Sequence, residues 1–158
     1  MYFFTPTINS WQSLLLDDKL KALIIDSFAW FHHNKKSAIH AFVIMPNHIH
    51  AILSPLNNNL QAENESALLS FIGHAFKKYL NLNHRELLAN YKTTQAERSF
   101  HFWERRSHTI DLLSRKIIEQ KLDYIHDNPC QQKWNLSPNP VSYQYSPAKF
   151  YETGIDDF

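Results

Sequence analysis

The chain of 158 residues and 18.7 kDa has the length of one ordinary domain and can bury a sizeable core without disulfides or structural metals. It is 44% hydrophobic, 20% charged and 14% aromatic, with only two glycines, Gly73 and Gly154, which excludes a disordered chain, a collagen-like repeat and a glycine-rich phosphate loop. The lone cysteine, Cys130, excludes an internal disulfide and a Cys-rich zinc cluster, and a net charge of +1 gives by itself no reason for a polyanionic partner.

The charge is unevenly placed. Residues 74–121 hold ten Lys/Arg against five Asp/Glu, so the remainder carries six against ten. A basic half of this size suits DNA or RNA, and it also fits a solvated helix surface. No apolar run approaches the roughly 20 residues of a membrane helix. The opening Met1-Tyr2-Phe3-Phe4-Thr5-Pro6 lacks the basic and apolar regions of a signal peptide. The expectation is a soluble protein of a reducing, cytoplasmic compartment with no membrane partner. Ten histidines are an excess that prompts a search for a metal site.

Residues 2–8 are aromatic and β-branched and read as a first strand, with Pro6 favouring an edge or a bulge. Leu20, Leu23, Ile24, Phe28 and Phe31 fall at helical spacing, so a helix is expected from Asp17 to about His33, with Asp17 and Asp18 at its N-terminal end. Residues 38–45 and 48–53 read as two strands of a hairpin joined at Met45-Pro46-Asn47-His48. In the second, period-two alternation sends Ile49, Ala51 and Leu53 one way and His48, His50 and Ile52 the other. Asn57-Asn58-Asn59 marks a loop. A second helix carries Leu68, Ile72, Ala75, Phe76 and Tyr79 on one stripe, with Glu63 and Glu65 near its start.

Residues 83–98 are polar and read as irregular or briefly helical, and Phe100-His101-Phe102-Trp103 reads as a short strand. A third helix spans 111–127 and must end near Asn128, because Pro129 disfavours helical geometry just before it. From about 130 the chain is a Pro-rich tail draped on a single domain covering 1–158. The order β-α-β-β-α-β-α, with a hairpin at its centre, predicts an α+β fold: a ferredoxin-like antiparallel sheet with helices packed around it.

His48 and His50 stand at i and i+2 on one strand face, close enough to chelate a divalent cation. The pair alone does not separate a cation site from a structural strand face, and it needs at least one more ligand. Tyr124 and Asn128 lie one turn apart on the third helix, with Lys121 one turn earlier. A phenol, an amide and an ammonium on one face suit nucleophilic attack beside a metal. The bland alternative packs Tyr124 at the edge of the stripe of Ile118, Leu122 and Ile125, with Asn128 capping the helix.

Ala41-Phe42-Val43-Ile44-Met45-Pro46-Asn47-His48-Ile49-His50, followed downstream by Tyr124-Ile125-His126-Asp127-Asn128-Pro129, resembles the single-tyrosine HUH transposases. More closely, the chain is similar to the REP-associated tyrosine transposases in length, order of elements and Tyr-Ile-x-x-Asn-Pro signature. Phe102-Trp103-Glu104-Arg105 also resembles a segment of those proteins, and the likeness covers residues 2–150. It departs after Pro129, where Cys130-Gln131-Gln132-Lys133-Trp134 replaces a small, glycine-containing stretch.

The resemblance implies the HUH endonuclease fold, His48, His50 and Asn128 as metal ligands, and Tyr124 as nucleophile. A phenol with a pKa of about 10 is a poor nucleophile at neutral pH and needs local positive charge or a base. A divalent ion, Mg2+ or Mn2+, would supply it, the mixed imidazole and oxygen donors suiting manganese. The implied substrate is single-stranded DNA with hairpin or palindromic elements, cleaved and rejoined through a covalent 5′-phosphotyrosine. Lys77, Lys78, Arg105, Arg106 and Lys121 are the candidate phosphate contacts. Monomer and homodimer both remain open, as does nucleoid association when bound to DNA. Two rival readings are a catalytically inactive hairpin-binding module and a zinc hydrolase, the latter needing another His or a carboxylate, with only Asp123 and Asp127 nearby.

Overall fold

The computed structural model describes residues 1–56, 60–93 and 100–155. The expected 57–59 loop and residues 94–98 of the polar stretch lie outside the described residues. Four strands form one antiparallel sheet: β1 (Tyr2–Thr5), β2 (Ser37–Ile44), β3 (Ile49–Pro55) and β4 (His108–Asp111), in the order β2-β3-β1-β4. Helix α1 (Asp18–His33) links β1 to β2, and α2 (Gln61–Asn83) with the short α3 (Arg85–Ala89) links β3 to β4. Helix α4 (Arg115–Asp127) follows β4, and α5 (Ala148–Thr153) closes the tail. This is the βαββαβ arrangement expected, an α+β fold of ferredoxin-like type. The hairpin is central in chain order, but in the sheet β1 sits between β3 and β4.

Two apolar clusters lie on opposite faces of the sheet. Tyr2, Phe4, Phe42, Ile44, Ile49, Ala51 and Leu53 pack under α1 and α2, with Leu20, Ile24, Phe28 and Phe31 from α1 and Leu68, Ile72, Phe76 and Leu80 from α2. Phe3, Ala41, Val43, Met45 and Ile52 face α4 and the tail, meeting Ile125, Leu112 and Tyr143. Alternation along the strands dictates this division. In β2 it survives a register shift between Ile39 and Ala41, where His40 is the extra residue. The predicted stripes of α1 and α2 are the buried ones, except that Leu23, Ala75 and Tyr79 are half-buried and Leu80 joins the core. Asp17 caps α1, its side chain accepting from the Lys19 amide, as its position before the apolar stripe suggests.

The structure corrects four expectations. The fourth strand is not Phe100–Trp103 but His108–Asp111, which pairs with all four residues of β1. Phe102 and Trp103 instead pack their rings on Phe76, and Phe100 and Trp103 make only isolated bridges, to Lys92 and Ile8. The aromatic run serves the core beneath α2, so its β-rich composition reports burial and not ladder pairing. The third long helix begins at Arg115, capped by Ser114, because 108–111 is spent on the strand. Strand β1 stops at Thr5 and lies inside the sheet, with Pro6 just beyond its end. The helix ends at Asp127 as expected, but not for the reason expected: Pro129 does not force extended geometry on Asn128, which stays right-handed helical at φ −54°, ψ −45° and opens a 3-10 turn over Asn128–Cys130. The chain becomes extended only at Gln131.

The tail is draped on the sheet as composition suggests. The Ile44 amide donates to the Tyr145 carbonyl, the Tyr143 hydroxyl to the Ile44 carbonyl, and the Tyr151 hydroxyl to the His40 carbonyl. Among the described residues no helix is long and apolar enough to cross a membrane.

Candidate active site

Strand β3 and helix α4 bring the two separated motifs together. His48 lies just before β3, bridged to Thr7, and His50 is its second residue, so both side chains project to the α4 face opposite Ile49 and Ala51. Both rings are buried, with their Nε2 atoms 3.1 Å apart. The Tyr124 hydroxyl, from the last turn of α4, stands 3.4 Å from His50 Nε2. Tyr124 keeps 39% of its surface exposed.

Because helical geometry continues through residue 128, Asn128 lies one turn beyond Tyr124 on the same side of α4. It is 1% exposed, and its Oδ1 is buried with no hydrogen-bond partner among the described residues. A buried carbonyl oxygen left without a donor is uncommon and calls for an explanation.

The surroundings fix which histidine nitrogen holds the proton. The Asn47 Nδ2 donates to the Trp11 carbonyl at 3.2 Å, which turns Oδ1 of the same amide toward His48 Nδ1, 2.7 Å away. A carbonyl oxygen only accepts, so His48 Nδ1 carries the hydrogen and Nε2 of the neutral ring carries the lone pair. His50 Nδ1 lies 2.9 Å from the Thr5 hydroxyl, which donates or accepts as required. With its proton on Nε2, His50 donates to His48. With its proton on Nδ1, it turns a second lone pair to the same point. One tautomer change thus converts a hydrogen-bonded pair into a two-nitrogen chelate.

Burial keeps both rings neutral. Desolvation, followed by the charge of Lys133, holds His48 down to about 4. Desolvation, then His48 and Lys121, hold His50 down to about 3. A neutral imidazole is the form that binds a metal. Two lone-pair nitrogens and an orphaned amide oxygen are a coherent donor set for a divalent ion with mixed nitrogen and oxygen preference. Among the described residues no group of three or more His, Cys, Asp or Glu comes together to hold a metal, so Asp123 and Asp127 do not join the histidine pair.

Phe3 forms the floor, its ring stacked on His50 at 5.3 Å and meeting Tyr124 edge-on at 6.1 Å. The Lys121 ammonium lies 4.7 Å from the Phe3 ring centre and 5.5 Å from that of Tyr124, placing a cation beside the phenol. Trp134 lies 5.5 Å from His48, with the Lys133 ammonium over its indole. The stretch where the sequence departs from the resemblance therefore packs against the site. Of the basic candidates, only Lys121 stands in this cluster. Arg105 and Arg106 are exposed and follow Glu104, whose amide donates to the Thr7 carbonyl near His48. Lys77 and Lys78 belong to α2 on the other face, Lys77 resting over Phe100.

Sequence reasoning did not single out Thr5, Asn47, Phe3 or Trp134. Asn47 stood inside the quoted motif, and its amide was the available signal. The other three are placed by tertiary packing.

No family model and no curated protein matches the sequence. Among solved structures the chain is similar to a REP-associated tyrosine transposase bound to a REP hairpin, with TM-score 0.70, 18% identity, and coverage of 98% of this chain and 81% of the other. A second likeness, to a transposase-type protein from Deinococcus radiodurans R1, has TM-score 0.49, 16% identity and coverage of 80% and 88%. The first establishes a shared fold over nearly the whole chain.

Proposed function

We propose that this protein is a DNA transposase of the single-tyrosine type, a metal-dependent endonuclease and strand transferase acting on single-stranded DNA beside hairpins. The observation that carries the reading is the meeting of Tyr124 with His50 and His48, with the orphaned oxygen of Asn128 one helical turn away. The fold shared with a hairpin-bound transposase supports the substrate class.

In this reading His48, His50 and Asn128 hold a divalent ion, Mg2+ or Mn2+, which when bound polarises the scissile phosphate and stabilises charge in the transition state. The Tyr124 phenolic oxygen attacks phosphorus. The new bond is a 5′-phosphotyrosine, the bond to the 3′ oxygen breaks, and that oxygen leaves as a hydroxyl after taking up a proton. One phosphodiester is exchanged for another, so the strand can be rejoined without further energy. Lys121 supplies positive charge at the phenol while Phe3 fixes the ring. Two other tyrosines are occupied: Tyr79 donates to Asp17 on the far side of the sheet, and buried Tyr143 donates to the Ile44 carbonyl.

The test is incubation with labelled single-stranded hairpins and Mn2+, followed by a denaturing gel and peptide mass spectrometry. Wild type should give an adduct on the Tyr124 peptide, and Tyr124→Phe should bind the hairpin but form none. Cleavage by Tyr124→Phe at the wild-type rate would make water the nucleophile. Hairpin binding without any adduct from the wild type would favour a catalytically inactive binding module.

A further inference from the structure

Thr5 is the last residue of β1, and the sheet holds it from both sides. It pairs with His108 of β4, and on the β3 side the register Tyr2 to Leu53, Phe3 to Ile52 and Phe4 to Ala51 continues so that Thr5 stands across from His50. The next step is closed by the Ile49 amide, which donates to the Pro6 carbonyl at 3.0 Å. Thr5 and Phe3 share one face of the strand, so the Phe3 ring stacks on His50 while the Thr5 hydroxyl lies 2.9 Å from its Nδ1. A β-branched side chain is stiff at χ1. The oxygen is therefore fixed, and only its hydrogen turns.

The two histidines differ in the partner that each has behind it. Asn47 offers His48 Nδ1 a carbonyl oxygen, which only accepts, so the lone pair of His48 always sits on Nε2. Thr5 offers His50 a hydroxyl, which both donates and accepts. In the metal-free protein the two Nε2 atoms, 3.1 Å apart, cannot both carry lone pairs without repulsion. His50 relieves it by keeping its proton on Nε2 and donating to His48, and Thr5 then donates to the bare Nδ1. The other arrangement, with the Tyr124 hydroxyl donating to His50 Nε2 over 3.4 Å, leaves the two lone pairs face to face.

A divalent ion held by both rings reverses the requirement. It needs the lone pair of His50 Nε2, so the proton there is given up to water and another is taken from water at Nδ1. The ring stays neutral, and no net proton is released. The new Nδ1–H is buried and needs an acceptor, and the Thr5 oxygen supplies one by rotating its own hydrogen away. Neither a carbonyl nor an ammonium could serve both states.

We propose that Thr5 is a positioning residue whose hydroxyl follows the proton of His50, donating to Nδ1 in the metal-free protein and accepting from it when a divalent ion is bound. This rests on the reading of His48 and His50 as metal ligands and adds to it the means by which the pair is held together in both states. Asn47 keeps one ligand permanently ready, and Thr5 lets the other change.

The experiment follows the His50 ring nitrogens by NMR in the full chain, first without metal and then with Zn2+, a diamagnetic ion that imidazole binds. Wild type should show His50 protonated at Nε2 without metal and at Nδ1 with it. Thr5→Val keeps the shape and the strand preference but leaves Nδ1 without a partner, and it should lower Mn2+ affinity by calorimetry about 10–100-fold. Thr5→Ser restores the hydroxyl and should bring affinity back to within a few fold of wild type. A His50 proton already on Nδ1 in the metal-free protein would overturn the proposal and leave the metal reading standing. Wild-type Mn2+ affinity in Thr5→Val would overturn it too, and a lowered melting temperature in that case would make Thr5 structural. Ring signals of His48 and His50 that do not respond to metal in wild type would remove the metal reading itself.

Discussion

Asn47 fixes the proton of His48. Its Oδ1 lies 2.7 Å from His48 Nδ1, and the amide cannot be turned over without losing its bond to the Trp11 carbonyl. Partners that orient a ligating histidine typically change metal affinity about 10–100-fold when removed. Asn47→Leu should lower Mn2+ affinity by about that factor, whereas Asn47→Asp, which keeps an acceptor, should retain most of it. Nitrogen NMR of the metal-free protein should show His48 protonated at Nδ1 in wild type and a mixture of tautomers in Asn47→Leu. A single unchanged tautomer in Asn47→Leu would take Asn47 out of this role.

The buried Asn128 oxygen predicts a trade between stability and binding. Replacing a buried group that lacks a partner with an apolar one of similar shape removes a desolvation penalty of about 1–3 kcal/mol. Asn128→Leu should therefore melt at the wild-type temperature or a few degrees higher, at about 2–4 °C per kcal/mol for a chain of this size. It should lose at least tenfold in metal affinity by calorimetry and form little adduct. Unchanged metal affinity would exclude Asn128 as a ligand.

Acid should destabilise the metal-free protein in a defined window. The ordinary histidine value is 6.5, and the folded values of His48 and His50 are held down to about 4 and about 3. Between those limits the unfolded chain binds protons that the folded one refuses, so stability is complete above pH 6.5 and falls as pH drops toward 3. Each site contributes a slope of up to about 1.4 kcal/mol per pH unit. Urea unfolding from pH 7 to 4 should show this slope, and His48→Gln with His50→Gln should flatten it.

The basic residues should divide by face. Hairpin binding should weaken steeply with salt, and removing Arg105, Arg106 or Lys121 should each reduce the slope of log affinity against log salt by about 1. Lys77→Ala and Lys78→Ala, on the opposite side of the sheet, should leave it near the wild-type value. Equal effects at all five positions would mean that DNA wraps both faces.

What was legible in the sequence followed from periodicity. Strict alternation placed His48, His50 and Ile52 opposite Ile49, Ala51 and Leu53, and the structure distributes them so. Helical spacing placed Tyr124 and Asn128 on one side of α4. The strand His108–Asp111 was missed because, with only Ile110 apolar, it carries almost no pattern of its own and is selected by pairing with β1. The Phe102 and Trp103 rings gave a strand signal because burial and pairing enrich the same residues. The role of Asn47 was invisible because it depends on the Trp11 carbonyl, far away in sequence.

The tail has a consequence for the behaviour of the molecule in crowded solution. Strand β2 ends the sheet on one side and would offer its outer backbone as a template for strands from other chains. Tyr143, Tyr145 and Tyr151 occupy that backbone at His40 and Ile44, so the Pro-rich segment works as an edge guard. Chain beyond α4 thus protects against intermolecular β-pairing, and its prolines keep it from becoming a new strand in turn.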